Sequence, residues 1–433
     1  MDYSKEPHGV FMVIDNKSFY ASVECIQLGL NPLTASLVVM SDQDNTNGGL
    51  ILASSPMAKK RFHITNVTRK RDLPWDDSLI VVPPRMNLYI QKNMAINKIF
   101  HEFVDEDHCF AYSIDESILD LTHSWKLFGN SPAEVARKIQ KTVRKRLGLY
   151  TTVGIGENPT QAKLALDLFA KHNHDLVGQL SYDNFTKNVW DIEPISKIWS
   201  IGKHTEANLA KLGIHNLREL AHTNPYQLKA HLGVIGFQLF ALAWGIDRAQ
   251  LDQKVPVRDK GLSNSQVLPR DYSDRRELEV VITEIAEQVA SRLRHRRKQT
   301  SCVHLYLGFS YVESTEKGER SSVSHETKVT TTSDNRELVG TVLDLFHKYW
   351  HGEKIRNIGV SYTRLSNSNT QQLDLFADTE KEIKKSKLDH VADQIRDKYG
   401  ATSVFKAHSL EKGATMLNRA GLVGGHNGGN AYD

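Results

Sequence analysis

The features that most constrain the fold are two short apolar stretches that run into carboxylates. Residues 10–14, VFMVI, are rich in branched side chains, and the run stops at Asp15. Residues 110–121, FAYSIDESILDL, are two apolar runs around a polar centre at 113–117. The first reads as a buried strand and the second as a β-hairpin. Apolar residues follow helical spacing at 17–28, 57–62, 86–104, 132–147 and 160–171, with further strands at 37–40 and 151–155. A strand–helix–strands–helix–strand order builds an α+β layer on a mostly antiparallel sheet.

Beyond this layer the pattern changes. From 182 to 247 it is short helices with tight glycine turns, and the polar stretch 247–261 reads as a linker. Segments 266–268, 277–297, 301–309, 328–332, 336–349 and 355–363 then follow in the order β-α-β-β-α-β, a split-βαβ domain. Residues 366–372 read as a polar linker, 380–397 as a further helix and the glycine-rich 421–433 as mobile. A chain of 433 residues has room for roughly three domains. No stretch approaches the ~18 uninterrupted apolar residues of a membrane span. Asp2 and Asp15 set the N-terminus apart from a secretory leader. Cys25, Cys109 and Cys302 form no CxxC pair, which fits a reducing cytosol and offers no zinc spacing.

Three carboxylates then stand out: Asp15 at a strand end, and Asp115 and Glu116 in the hairpin. Mg²⁺ takes few protein carboxylates and leaves positions for phosphates, and two ions about 4 Å apart clamp both oxygens of a phosphoryl transfer. Ordinary turn capping by Asp is the alternative. Adjacent strand residues point to opposite faces, so Asp115 and Glu116 share a site only if the chain bends there. There is no GxxxxGK[ST] motif, so a triphosphate would be held by metals and by scattered cations such as Lys60, Arg61, Lys163 and Lys171. The net charge is +4, and residues 254–298 alone carry eleven Lys and Arg against seven Asp and Glu. Five of those cations fall in 292–298, RLRHRRK, which fits either a solvated helix end or a phosphate-contacting patch.

The run Val13-Ile14-Asp15-Asn16-Lys17-Ser18-Phe19-Tyr20-Ala21-Ser22-Val23-Glu24 resembles the opening motif of the Y-family (translesion) DNA polymerases. Tyr112-Ser113-Ile114-Asp115-Glu116-Ser117 resembles their second motif. Thr152-Val153-Gly154-Ile155-Gly156, followed by Ala162-Lys163-Leu164-Ala165, resembles the third. The match spans about residues 10–365 and is nearest to the bacterial UmuC-like branch, whose UV-damage-repair proteins the tail 414–429 also resembles. The resemblance implies a polymerase right hand: palm at 1–26 and 86–178, small fingers at 27–85, and a helical thumb at 179–247. A linker at 248–261, a split-βαβ little finger at 262–365 and a tail at 366–433 complete it.

By the same resemblance, Asp15, Asp115, Glu116 and the Asn16 carbonyl bind two Mg²⁺ ions, and the hairpin centre bends to admit Glu116. Phe19 and Tyr20 face the nucleotide, with Tyr20 as the steric gate that excludes a 2′-hydroxyl. Lys60 and Lys171 fall at or near the family's triphosphate-binding cations. Two departures are visible: Met57 stands where a Tyr is common, and the Lys163–Lys171 interval is one residue longer than in many relatives. Ile198 to Lys203 resembles a helix–hairpin–helix with Ser200 in place of its first glycine, and Ile201, Gly202 and Lys203 would present backbone N–H groups to a DNA phosphate. Arg292, Arg294, Arg296, Arg297 and Lys298 would grip the DNA backbone. Gln372, Leu373, Leu375 and Phe376 resemble the peptide that binds the sliding clamp. The function so implied is a low-fidelity, template-directed polymerase that extends primers past damaged bases. Its partners would be primer–template DNA, dNTP and the clamp; it would be a cytoplasmic monomer, with accessory subunits in some relatives. Two other readings stand beside it: a non-catalytic DNA- and clamp-binding damage-response protein, and a nucleotidyl cyclase, which needs neither the hairpin nor the clamp peptide.

Overall fold

The computed structural model describes residues 1–42, 48–74, 76–253, 260–311, 321–367 and 379–428, with side chains from Leu388 onward in the helix that starts at Thr379. The chain opens with β1 (Phe11–Asn16) and α1 (Phe19–Gln27), then β2 (Leu37–Ser41), β3 (Leu50–Ser54), α2 (Pro56–Phe62) and β4 (Ile80–Val82). It continues through α3 (Met86–Phe100), β5 (Cys109–Ala111), β6 (Glu116–Asp120), α4 (Pro132–Leu147), β7 (Thr151–Gly156), α5 (Pro159–Ala165) and β8 (Val177–Gln179). Four of the described helices start on one local signal, a Ser or Asn followed by Pro. The side chains of Ser55, Ser131, Asn158 and Asn224 each accept a backbone N–H of the first turn, while the proline has no N–H to leave orphaned.

A five-stranded sheet in the order β5-β6-β1-β7-β8 carries the first half. It is antiparallel except for the β7–β8 pair. β1 is buried on both faces: Met12 and Ile14 belong to the core shared with α1, α3 and α4, while Phe11 and Val13 pack on Ala162, Leu166 and Ala170. By strand alternation Asp15 lies on the second face, the one covered by α5. α5 can lie so close because a Cβ on Gly154 would stand 2.1 Å from the Ala162 carbonyl oxygen, and one on Gly156 2.3 Å from the Ala162 nitrogen. The small sheet β3-β2-β4 beside it pairs β2 with β4 in parallel; strands 50–54 and 80–82 carry no clear periodicity.

Five helices follow: α6 (Tyr182–Val189), α7 (Lys203–Ala210), α8 (Leu217–His222), α9 (Pro225–Leu232) and α10 (Val234–Ala243). Then come β9 (Gly261–Tyr272), α11 (Arg275–His295), β10 (Lys298–Phe309), β11 (Ser322–Thr332), a helix at Asn335–Tyr349 and β12 (Ile355–Asn367). This is the expected β-α-β-β-α-β order, folded as an antiparallel sheet β11-β10-β12-β9 with both helices packed on it.

The glycine-rich tail departs from expectation. After the helix Thr379–Tyr399 the chain forms a short helix at Met416–Ala420 and a hairpin, β13 (Leu422–Val423) with β14 (His426–Asn427). Gly424 and Gly425 both have positive φ, the two-residue turn that glycine allows without strain. The glycines shape this segment up to 428 rather than loosen it. The clamp-like residues Gln372, Leu373, Leu375 and Phe376 lie outside the described residues.

Candidate active site

β1 and β6 pair antiparallel with Asp15 opposite Glu116, which sets both carboxylates on the face covered by α5. Asp115 belongs to the turn between β5 and β6, not to the strand, so it escapes the alternation that would turn it away. Asn16 ties this turn to β1: its backbone N–H and its Nδ2 both donate to the Asp115 carbonyl, at 2.8 and 3.1 Å. Asn93 of α3 holds the other side, with Nδ2 2.8 Å from the Ile114 carbonyl. Asn97 donates to Asn93 Oδ1 and accepts from Ser117. No sequence signal singled out this asparagine ladder, because it becomes one unit only when α3 meets the hairpin.

Each carboxylate has a partner. Ser113 Oγ donates to Asp115 at 2.7 Å. Lys163 Nζ sits 2.8 Å from both oxygens of Glu116. Lys171 Nζ lies 3.7 Å from Asp15, 3.6 Å from Glu116 and 2.8 Å from Asp167. Burial opposes the Lys171 charge, but Asp15, Asp167 and Glu116 together outweigh it and hold its pKa above the usual lysine value. Burial pushes Asp15 up to about 6, with Lys171 pulling the other way. Among the described residues no three His, Cys, Asp or Glu side chains converge on one point as placed.

The Lys163–Lys171 interval contains a π turn. Residues Leu166–Ala170 continue α5, and the Lys171 N–H reaches back five residues to the Leu166 carbonyl. Such a turn takes up one extra residue without changing the exit direction, so Lys171 still faces Asp15.

A cleft of about 730 Å³ opens over these groups, lined by Asp15, Asp115, Phe19 and Tyr20 and by four lysines: Lys17, Lys59, Lys60 and Lys171. Sequence reading found Lys60 and Lys171. Lys17 and Lys59 sit inside the same motif and basic segments, and only the fold brings them to the cleft. The Tyr20 ring is half-buried and stacks on Tyr89, with centroids 4.4 Å apart. Tyr89 donates to Glu24 at 2.7 Å, and Arg85 pairs with the same carboxylate at 2.6 Å. A polar triad, buried at Tyr89 and Glu24, therefore backs the ring.

The residues expected to meet DNA divide. Gly202 and Lys203 are exposed at the start of α7, where no side chain caps the N-terminus. Ser200 adopts a φ of 75°, so the turn keeps the left-handed geometry that its missing glycine would provide. Ile201 does not fit the DNA assignment: its side chain is buried, and its N–H is already donated to the Ile198 carbonyl. Arg294 does not fit either. Its side chain is 5 % exposed and is consumed by Asp393 at 2.7 Å, Asn335 and the Ser333 carbonyl. Arg292 is exposed and donates to the Ser263 carbonyl, and Lys298 reaches Asn367. Arg296 and Arg297 are exposed in the turn between α11 and β10.

Comparison with known proteins completes this picture. The pattern of the impB/mucB/samB family matches residues 14–167, its helix–hairpin–helix motif 182–214 and its C-terminal domain 259–375. The chain is 36 % identical to the putative UV-damage repair protein UvrX of Bacillus subtilis (strain 168), covering 98 % of this chain and 99 % of that protein. The chain belongs to the impB/mucB/samB family. It is 32 % identical to DNA polymerase IV 2 of the same organism, covering 96 % and 98 % of the two chains. A solved Y-family DNA polymerase chimera, Dbh-Dpo4(243-245)-Dbh, superposes with a TM-score of 0.65 at 21 % identity, covering 83 % of this chain and 99 % of that one. Among the described residues no helix is long and apolar enough to cross a membrane.

Proposed function

We propose that this DNA-directed DNA polymerase extends primers past damaged template bases with low fidelity, by phosphoryl transfer assisted by two Mg²⁺ ions and with release of pyrophosphate. The observation that carries the reading is Asp15 opposite Glu116, with Asp115 in the adjoining turn, on a cleft rimmed by four lysines. Asp15, Asp115, Glu116 and the Asn16 backbone carbonyl would hold the ions. The donor set fits: all are hard oxygens. Asn16 Oδ1, Thr151 Oγ1 and Thr152 Oγ1, on residues paired beside Asp15, are buried without a hydrogen-bond partner. The elevated pKa of Asp15 marks a buried charge that a cation would relieve. When bound, the ions supply charge neutralisation at the attacking 3′-oxygen and the leaving pyrophosphate.

The chain's own residues do the positioning. Lys17, Lys59, Lys60 and Lys171 present cations to a triphosphate, and Tyr20, backed by Tyr89, lies against the sugar. Asn16 and Asn93 keep the carboxylate turn in place, which matters because transfer rates fall steeply with small misplacements. Gly202, Lys203, Arg296 and Arg297 hold DNA by its backbone, without reading sequence. Residues 372–376 support docking to a sliding clamp.

The test is primer extension with Mg²⁺ and all four dNTPs, wild type beside Asp115→Ala. Wild type should extend, and the variant should lose at least about a hundredfold in rate, which corresponds to ~2.7 kcal/mol at the transition state, while still binding DNA. Equal extension by both would remove the carboxylate assignment. A template with a damaged base then tests bypass directly.

A further inference from the structure

The tail packs across α11 and reaches the other half of the molecule. On α11, Glu284 is almost wholly buried, an expensive place for a carboxylate without donors. The donors come from the tail: Thr415 N–H at 2.9 Å, Thr415 Oγ1 at 3.1 Å and Met416 N–H at 3.0 Å, with Arg419 4.0 Å away. Tyr272 donates to the Gly413 carbonyl, and Lys412, Glu411 and Lys406 pair with Glu277, Arg276 and Glu287. Asp393 closes on Arg294 in the same way. The tail thus supplies hydrogen-bond donors to Glu284 Oε2 on α11, while Glu284 Oε1 stays buried without a hydrogen-bond partner.

The far end of the tail meets different elements. The Gly428 carbonyl accepts the Asn87 N–H at 2.9 Å, at the start of palm helix α3. His426 Nδ1 lies 2.9 Å from Ser41 Oγ, at the end of fingers strand β2. His426 is half-buried, and burial holds its pKa below the usual imidazole value.

We propose that residues 407–428 are a strap: anchored on Glu284 and Glu277 of α11, they tie the little finger to the fingers and palm through the β13–β14 hairpin. The strap is a second tether beside the covalent connection 248–260. It limits how far the little finger swings from the catalytic cleft, and so how readily bound DNA leaves. That consequence rests on the polymerase reading; the strap itself does not.

Two measurements on the full chain test it. Ser41→Cys with His426→Cys should form an intramolecular disulfide under mild oxidation, whereas each single variant should not. Deleting 422–433 keeps the Thr415–Glu284 anchor and should leave folding, checked by thermal melting, and single-turnover nucleotide incorporation unchanged. It should release DNA on the order of fivefold faster and shorten the product made per binding event, an effect on the dissociation rate rather than on chemistry. A double-cysteine chain whose thiols stay free overturns the strap. A disulfide that forms while the deletion leaves DNA lifetime and product length unaltered overturns its function. If wild type itself incorporates nothing, the polymerase reading fails, and the cross-link still decides the strap.

Discussion

At the scale of single residues, Asp15 shows what the site costs. Burial raises its carboxyl from the usual 3.8 to about 6. Between those values the folded chain keeps a proton that the unfolded chain has released. Above pH 6 the buried charge therefore costs stability, and the cost fades as pH falls through 6 towards 4. Two pKa units correspond to at most roughly 3 kcal/mol. Asp15→Asn should accordingly raise the melting temperature at pH 7.5 in a chelator and give no gain below pH 4. Mg²⁺ should stabilise wild type and not the variant, and thermal unfolding with and without the ion reads both. Tyr20 is the second test. Its ring is pinned by stacking on Tyr89, which the Glu24–Arg85 pair anchors, so its position is not adjustable. Tyr20→Ala should admit ribonucleotides, raising the ratio of rNTP to dNTP incorporation by at least about tenfold, or 1.4 kcal/mol. An unchanged ratio would return Tyr20 to a packing role.

At the scale of elements, the π turn after α5 decides where a cation points. A slip of one residue in a regular helix rotates a side chain by about 100°. One alanine inserted after Phe169 exceeds what a single π turn absorbs and should swing Lys171 off the cleft. The expected outcome is a dNTP KM raised about tenfold in an otherwise folded chain, read by steady-state kinetics; an unchanged KM would free Lys171 of a phosphate role. The Lys163–Lys171 interval is visible in the sequence, but the π turn within it is not, because an i to i+5 hydrogen bond leaves no mark on composition. The glycines of the third motif are a converse case. They are plain in the sequence, and only the packing of α5 on β7 gives the reason for them.

At the scale of the whole molecule, charge matters by where it is left exposed. Arg296 and Arg297 lie at the surface beyond the end of α11, while Arg294 two residues earlier is sealed against Asp393. Arg296→Gln with Arg297→Gln should flatten the salt dependence of DNA binding by up to about 0.9 slope units for each phosphate left unneutralised, measured by titration across salt concentrations. Arg294→Gln should leave that slope alone and lower thermal stability instead, by roughly 3–5 kcal/mol for a broken buried pair. If the slopes of the two variants fell alike, the partition into surface grip and buried pair would be wrong.

The sequence by itself determined the chemistry-bearing motifs, the antiparallel layer that presents them and the split-βαβ order. These are local patterns: apolar periodicity, capping residues and carboxylates at strand ends. Only the tertiary structure decided which cations stay at the surface, because Arg292, Arg294 and Arg297 look alike until the tail helix covers one of them. It also decided that Ile201 belongs to the core, that Asn93 and Asn97 brace the carboxylate turn, and that a glycine-rich tail folds. Each depends on a partner distant along the chain. A buried polar group such as Glu284 is tolerable only when that partner supplies its hydrogen bonds.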